Sequence, residues 1–211
     1  MTDMSDLFKI GLALFAIVNP IGSVPVFITT TDGSSLAQRA HIAGIVSVTV
    51  FTVLSLAALM GDRLLAFFSI SIPSFQVGGG ILLLLMAVSM MHARQSGVRQ
   101  TPEELQAAIE HEAIGVVPIG IPLLAGPGAI SSVIIAAQQS QGVFGHLELI
   151  LPIAVISSAV YGILRLSTRI ANRLGTIGIN IITRLMGLIL AAMAVEFMAH
   201  GIAGLFPGLV P

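Results

Sequence analysis

The chain has 211 residues, of which 55% are hydrophobic and 9% charged, and its mean hydropathy is +1.01. Soluble domains carry roughly 25% charged residues, so this composition excludes an ordinary soluble domain and indicates a membrane protein. The lack of cysteine excludes disulfides and thiolate metal sites. The formal net charge of −1 and the scattered basic residues exclude a basic nucleic-acid footprint. Asp3 and Asp6, with no basic residue before them, argue against a cleaved signal peptide.

Charged residues divide the chain into apolar runs long enough to cross a bilayer as helices. Six spans are predicted, within residues 10–31, 42–61, 74–91, 113–139, 149–164 and 180–200. Ser35 and Gln38 have the spacing of a capping box and should begin the second helix. Asp62-Arg63 ends the charge-free run of the second span. Arg165, Arg169 and Arg173 are assigned to a link before the sixth span.

One markedly polar segment separates the third and fourth spans. Thr101-Pro102-Glu103-Glu104 offers an N-cap, a proline at the first helical position and acidic residues in the first turn, which predicts a short surface helix. We therefore divide the chain into a first three-helix repeat (1–93), a cytoplasmic linker (94–112) and a second, inverted three-helix repeat (113–211).

Two of the predicted spans contain residues that interrupt helices: Asn19–Pro25 in the first and Ala125–Ser131 in the fourth. Proline lacks the N–H that a helix uses, and glycine leaves the backbone uncovered. In lipid, freed backbone groups are tolerated only where protein or a water-filled cavity shields them. Matched interruptions in two halves are typical of a transporter's binding site; the alternative is that Pro20 and Pro127 only kink packed helices.

Sliding the chain on itself by 107 residues pairs Pro20 with Pro127 and Gly80 with Gly187. Further identical pairs cluster in the third and sixth spans: Leu83 with Leu190, Met86 with Met193, Ala87 with Ala194, Val88 with Val195 and Met91 with Met198. Three spans per half would make the second half enter the membrane upside down. The predicted fold is therefore an all-α membrane protein of six transmembrane helices, arranged as a 3+3 inverted repeat with helices 1 and 4 broken near the midplane.

Basic residues predict the orientation. The links after spans 1, 3 and 5, with the start of span 6, hold seven arginines, against Lys9 and Arg63 on the other face. By the positive-inside rule, those links are cytoplasmic and both termini lie outside. The seven are Arg39, Arg94, Arg99, Arg165, Arg169, Arg173 and Arg184.

A broken span exposes N–H groups at one helix end and carbonyl oxygens at the other, which suit the carboxylate and the ammonium group of a zwitterionic amino acid. Glycines at both breaks leave room for a small substrate. The predicted substrate-binding residues are Asn19, Pro20, Gly22, Ser23, Gly126, Pro127, Gly128, Ala129 and Ile130.

Glu196 is the main ionisable residue within a span and is a candidate proton carrier. It lies about 24 Å of helix beyond Asn180, so a position at the outer interface is the alternative. The histidines have no metal-ligand spacing, and Ser131-Ser132 has no nearby base. We expect no catalytic site, no cofactor and no metal.

Three motifs resemble the MarC family of bacterial inner-membrane proteins, and in particular its YchE-like branch: NPIGSVPVF, GVVPIGIPLLAGPGAISS and ITRLMGLIL…EF. The resemblance covers nearly the whole chain. Because the family includes SnatA-type carriers of glycine and alanine, it implies a transporter of small neutral amino acids with its binding region at Asn19–Ser23 and Gly126–Ile130.

The expected activity is therefore secondary transport with alternating access by rocking of the two halves, in the bilayer of the inner membrane, with protons as the candidate coupling ion. The alternatives are an exporter of drugs or other small molecules, a non-transporting membrane scaffold and an intramembrane enzyme.

Overall fold

The computed structural model describes residues 4–31, 33–92, 124–139 and 147–208. Within those ranges every regular element is a helix. The helices are α1 (Met4–Val18), α2 (Val24–Thr30), α3 (Leu36–Phe67), α4 (Ile72–Met91), α5 (Pro127–Gln139), α6 (Ile150–Arg165) and α7 (Ser167–Leu205). The predicted linker (94–112), its surface helix and the first part of the fourth span lie outside the described residues.

Among the described residues, three helices are long and apolar enough to cross a membrane: α3 over Leu36–Gly61, α4 and α7. Shorter apolar helices cover Leu7–Val18, Pro127–Gln138 and Ile150–Arg165. Large apolar side chains also cover the outer surface, for example Leu12 at 63% exposure and Leu188 at 61%. Such a surface suits lipid rather than water, so the prediction of an all-helical membrane protein is confirmed.

Helix α3 begins where the capping box predicts. Ser35 Oγ accepts a hydrogen bond from the Gln38 N–H at 3.3 Å, and Gln38 Oε1 accepts one from the Ser35 N–H at 2.8 Å. The apolar span ends at Gly61, as the charges at Asp62-Arg63 predict, while the helix itself continues to Phe67. Charged residues end the hydrocarbon-compatible stretch without breaking the helix, since Arg, Leu and Ala all favour helix.

The third and fifth predicted spans agree closely with α4 and α6. Ser71 caps α4, with its Oγ accepting from the Ser74 N–H at 3.3 Å and Pro73 in the first turn. Helix α6 ends at Arg165, whose Nη1 donates to the Tyr161 hydroxyl at 3.0 Å.

The link predicted before the sixth span is wrong, because α7 is already helical from Ser167 and carries Arg169 and Arg173 on exposed positions. The helix kinks at Gly175, which has φ 61° and ψ 178°. A Cβ atom at Gly175 would have nothing within 4 Å. The backbone conformation, which is nearly exclusive to glycine, is therefore what requires this residue.

Helices α4 and α7 run antiparallel and touch at glycines. A Cβ atom on Gly80 would lie 2.8 Å from the carbonyl oxygen of Ala194 and 3.1 Å from the nitrogen of Met198. A Cβ atom on Gly187 would lie 3.1 Å from the carbonyl oxygen of Ala87 and 3.2 Å from the nitrogen of Met91. Small residues allow this backbone contact between membrane helices.

These two contacts are reciprocal. Ala194 and Met198 are the residues that follow Ala87 and Met91 by 107 positions, the same shift that relates Gly187 to Gly80. Other helices of the first half also pack on helices of the second half: α3 packs on α6, α1 on α5 and α6, and α2 on α7. Ser47 Oγ, for example, donates to the carbonyl oxygen of Ser157 at 2.5 Å. The main contacts of the first-half helices are thus with helices of the second half, around one shared apolar core.

Candidate functional site

The first span is interrupted between Val18, the last residue of α1, and Val24, the first of α2. Asn19 has φ 45°, in the left-handed region that asparagine tolerates better than most residues. Its Oδ1 accepts a hydrogen bond from the Gly22 N–H at 3.2 Å, and Ser23 Oγ donates to the carbonyl oxygen of Pro20 at 2.8 Å. The break is therefore a defined turn closed by its own side chains.

Glycine is required at position 22 because the Asn19 amide lies over it. A Cβ atom on Gly22 would overlap Asn19 Nδ2 and lie 2.8 Å from Asn19 Cγ. The two residues of the predicted site thus fit each other, and no other side chain can replace the hydrogen at position 22 without moving the amide.

The second interruption precedes Pro127, which begins α5 in the position where proline is best tolerated. The first helical hydrogen bond that the structure shows at this end runs from the Ile130 N–H to the carbonyl oxygen of Gly126 at 3.1 Å. The N–H groups of Gly128 and Ala129 belong to the first turn, whose N–H groups have no partner within a helix. Ser132 Oγ donates to the carbonyl oxygen of Gly128 at 2.8 Å.

Both breaks lie largely within protein. Ser23 is 3% exposed and Val24 fully buried, while Leu124 and Ala125 are 1% and 0% exposed. Among the predicted site residues, Pro20, Gly126, Gly128 and Ala129 are also buried, Asn19, Gly22 and Ile130 are half-buried, and Pro127 is exposed. Non-helical backbone at membrane depth requires such shielding.

Two residues of the second break face neighbouring helices. A Cβ atom on Gly128 would lie 2.7 Å from Leu83 Cδ2 and 3.0 Å from Met86 Sδ, so this glycine packs on α4. Ile130 lines an apolar groove of about 480 Å³ between α3 and α5, together with Gly61 and Arg63. Helices α1 and α5 are therefore in contact. Of the predicted residues in the second break, however, Gly128 faces α4 and Ile130 faces the groove beside α3, and neither faces the first break.

Ser131 lies within the second interruption but is not among the predicted substrate-binding residues. Ser131 is 4% exposed, and a Cβ atom on Gly79 would lie 3.2 Å from its Oγ. It follows Pro127 by four residues and so lies on the same helix face, which is the signal that could have identified it.

Within the described ranges the buried polar side chains are all hydroxyls: Ser23, Thr31, Ser131, Ser132, Ser157 and Ser167. The same ranges contain no buried charged side chain and no group of residues able to hold a metal ion. The polarity near the breaks therefore comes from serine hydroxyls, the Asn19 amide and the main chain.

Glu196 does not face the breaks. Its side chain is 69% exposed and lies 3.5 Å from His200 Nε2, while Ala194 and Met198 on the same helix face α4. This is a surface position on α7, to which we return below.

Comparison with known proteins agrees with this architecture. Residues 4–206 match the family described as MarC family integral membrane protein. UPF0056 membrane protein YhcE of Escherichia coli K12 is 38% identical over 208 residues, which cover 99% of this chain and 97% of the relative. UPF0056 membrane protein YvbG of Bacillus subtilis 168 is 34% identical over 206 residues, 97% of this chain and 98% of the relative.

A UPF0056 membrane protein of Aquifex aeolicus is 36% identical over 206 residues, which cover 97% of this chain and 96% of the relative. No solved structure matches the chain. The family match spans nearly all of this helical, apolar chain, which therefore belongs to the MarC family of integral membrane proteins.

Proposed function

We propose that this protein is a secondary transporter of small neutral amino acids, of the glycine and alanine class. In this proposal six spans form a 3+3 inverted repeat in the bacterial inner membrane, with both termini on the periplasmic side. The substrate binds near the midplane between the broken spans 1 and 4, and access alternates between the two sides.

Support for the inverted repeat comes from the reciprocal contacts of α4 and α7. When Gly80 meets Ala194 and Met198, and Gly187 meets Ala87 and Met91, the two segments are related as in a two-fold interface, where residue i contacts j and j contacts i. Antiparallel helices related in this way have opposite directions in the membrane, which is the geometry of inverted repeats in transporters.

Support for a zwitterionic substrate comes from the chemistry around the breaks. Free N–H groups in the first turn of α5 would bind a carboxylate, and carbonyl oxygens at the end of α1 would accept from an ammonium group. The neutral, hydroxyl-bearing surroundings match a substrate whose charges cancel. Gly22 and Gly128 leave little free volume, because their Cβ positions are occupied by Asn19 and by Leu83, and this favours a small molecule.

The packing indicates that the part of the protein that moves during transport is not a whole three-helix half. Helices α4 and α7 are joined by backbone contacts at Gly80, Gly187 and Gly201, so they would remain together. In this proposal access alternates through movement of the broken spans against that pair, rather than by rocking of one half on the other.

The observation that carries the proposal is the pair of buried helix interruptions, at Asn19–Ser23 and before Pro127, related by the internal repeat. The test is counterflow of radiolabelled glycine and alanine into liposomes containing the purified protein. Saturable uptake, competed by small neutral amino acids, supports the proposal. Uptake of drugs without amino acids would favour the exporter, and correctly folded protein that moves neither would favour a scaffold.

Ser23 and Ser158 provide a matched pair of variants for this assay. Each hydroxyl donates to a carbonyl oxygen of its own chain at 2.8 Å, Ser23 to Pro20 in the break and Ser158 to Ala154 on the exposed side of α6. Ser23→Ala should lower the uptake rate, whereas Ser158→Ala should leave it unchanged. Equal uptake rates for both variants would show that the first break takes no part in transport.

Proton coupling belongs to the same proposal. It is tested by imposing a pH gradient across the liposomes, which should accelerate amino acid uptake in one direction if protons are the coupling ion. The outward position of Glu196 gives that residue no contact with the breaks, so we assign the coupling to no particular side chain.

A further inference from the structure

An acid and a base lie exposed on the outer surface of α7. Glu196 Oε1 and His200 Nε2 are 3.5 Å apart, one helical turn from each other, and their side chains are 69% and 65% exposed. Their neighbours on the same face are apolar, including Leu185 at 54% exposure and Ile189 at 46%.

The depth of Glu196 follows from the packing of α7 on α4. Ala194 and Met198, two positions on either side of Glu196, both contact Gly80. Gly80 lies about 12 Å along the helix from Ile72 and about 16 Å from Met91, the two ends of α4. Because α4 is a span of 20 residues without a charge, Glu196 is level with the middle of the hydrocarbon layer, and the alternative of an interfacial position is not supported.

A side chain at this depth has no access to water. The distance to either end of α4 exceeds the length of a glutamate side chain, so Glu196 cannot extend to the interface. Ionisable residues inside a bilayer face protein or a water-filled cavity almost without exception, and the described residues exposed beside this pair on α7 are apolar. The face must therefore be covered by protein.

We propose that the covering protein is a second copy of this chain, and that α7 forms a two-fold interface centred on Glu196 and His200. Two copies with the same orientation in the membrane are related by a two-fold axis along the membrane normal, so their α7 helices run parallel and the two pairs lie at the same depth. Because Glu196 and His200 are only 3.5 Å apart within one copy, the Glu196 of each copy can also meet the His200 of the other copy across that axis, as an isologous interface requires. Ala192 and Ala199 are exposed on the same stretch of α7, and small side chains there allow the two helices to approach closely.

The lack of cysteine makes the interface directly testable, because a single introduced cysteine is the only thiol in the protein. Ile189→Cys reports on the proposed interface, because Ile189 lies two turns before Glu196 on the same face of α7. Val48→Cys is the control, since Val48 is also exposed, at 65% against 46% for Ile189, and lies in the apolar part of α3. Full-length variants are oxidised in native membranes with a membrane-permeable catalyst.

The expected result is a covalent dimer of Ile189→Cys that forms several-fold faster than that of Val48→Cys. Equal rates for the two variants, crosslinking of Ile189→Cys mainly to another protein, or failure of Ile189→Cys to form any dimer would each overturn the proposal.

A second experiment tests the charge pair itself, by counting copies per particle through single-molecule photobleaching in dilute lipid vesicles. Glu196→Leu and His200→Leu should each shift the population from two copies toward one. The double variant with Glu196→His and His200→Glu keeps one acid and one base on the face and should restore two copies. If Glu196→Leu leaves two copies, or if the wild type is a single copy that Glu196→Leu makes more heat-stable, the proposal is wrong.

Discussion

Asn19 Oδ1 accepts a hydrogen bond from the Gly22 N–H at 3.2 Å, and the same amide fills the space that a side chain at position 22 would need. This pair holds the backbone open between α1 and α2, where a regular span would continue as helix. The positive φ of Asn19 and the missing side chain of Gly22 are thus two parts of one turn.

Gly22→Ala should therefore displace the Asn19 amide and destabilise the protein by about 1–3 kcal/mol, the usual cost of overpacking. Thermal unfolding in detergent measures the effect. Gly162→Ala is the control, because a Cβ atom there has nothing within 4 Å. Adding Asn19→Gly to Gly22→Ala should recover part of the loss, since glycine keeps the positive φ and removes the amide. A fully additive double variant would show that the two residues are not coupled.

The contact between Gly80 and Ala194 predicts that alanine substitutions at three glycines of α4 and α7 will differ in their cost in stability. Gly80→Ala places a methyl group against a backbone oxygen, at 2.8 Å, and should cost about 1–3 kcal/mol because α4 and α7 must separate. Gly187→Ala, with its nearest atom at 3.0 Å, should cost less. Gly78→Ala, which meets nothing within 4 Å, should be neutral or slightly stabilising. Heat stability of the three purified variants should therefore rise in that order, and equal stability would contradict the close helix contact.

Gly175 offers a test of backbone conformation without a change in packing. Gly175→Ala should destabilise the kinked arrangement of α7 by about 1–3 kcal/mol, because φ 61° with ψ 178° is strained for any side chain. Gly162→Ala, equally free of neighbours but within the regular helix α6, should be stabilising by about 0.5–1 kcal/mol. Opposite signs for the two variants are expected in chemical or thermal unfolding, and equal effects would mean that the kink is absent.

The capping box of α3 can be measured by a double-mutant cycle. Ser35→Ala removes the acceptor for the Gln38 N–H and should cost about 1 kcal/mol. Gln38→Ala removes the reciprocal acceptor for the Ser35 N–H. Because the two bonds fix one turn, the double variant should lose less than the sum of the single losses. Additive losses would show that the two hydrogen bonds form independently.

Local features were predictable where one physical rule dominates. The capping box at Ser35 and Gln38, the start of α4 near Ser71 and the interruption after Val18 each follow from residues within one turn of the feature. The C-terminal end of α3 and the start of α7 were not predicted, because charged residues such as Arg63 and Arg169 mark the limit of the hydrocarbon layer and not the limit of a helix.

The sequence by itself determined that this is a membrane protein of helices with an interruption in its first span, since apolar runs, prolines and glycines act locally or through the surrounding lipid. Only the tertiary structure decided what those residues meet. It showed that Gly80 and Gly187 touch each other's helices reciprocally, that Gly128 packs on Leu83, and that Glu196 lies on the exposed outer face of α7, level with Gly80. Such contacts join residues 45 or more positions apart in the sequence, and only the packed helices bring these residues together.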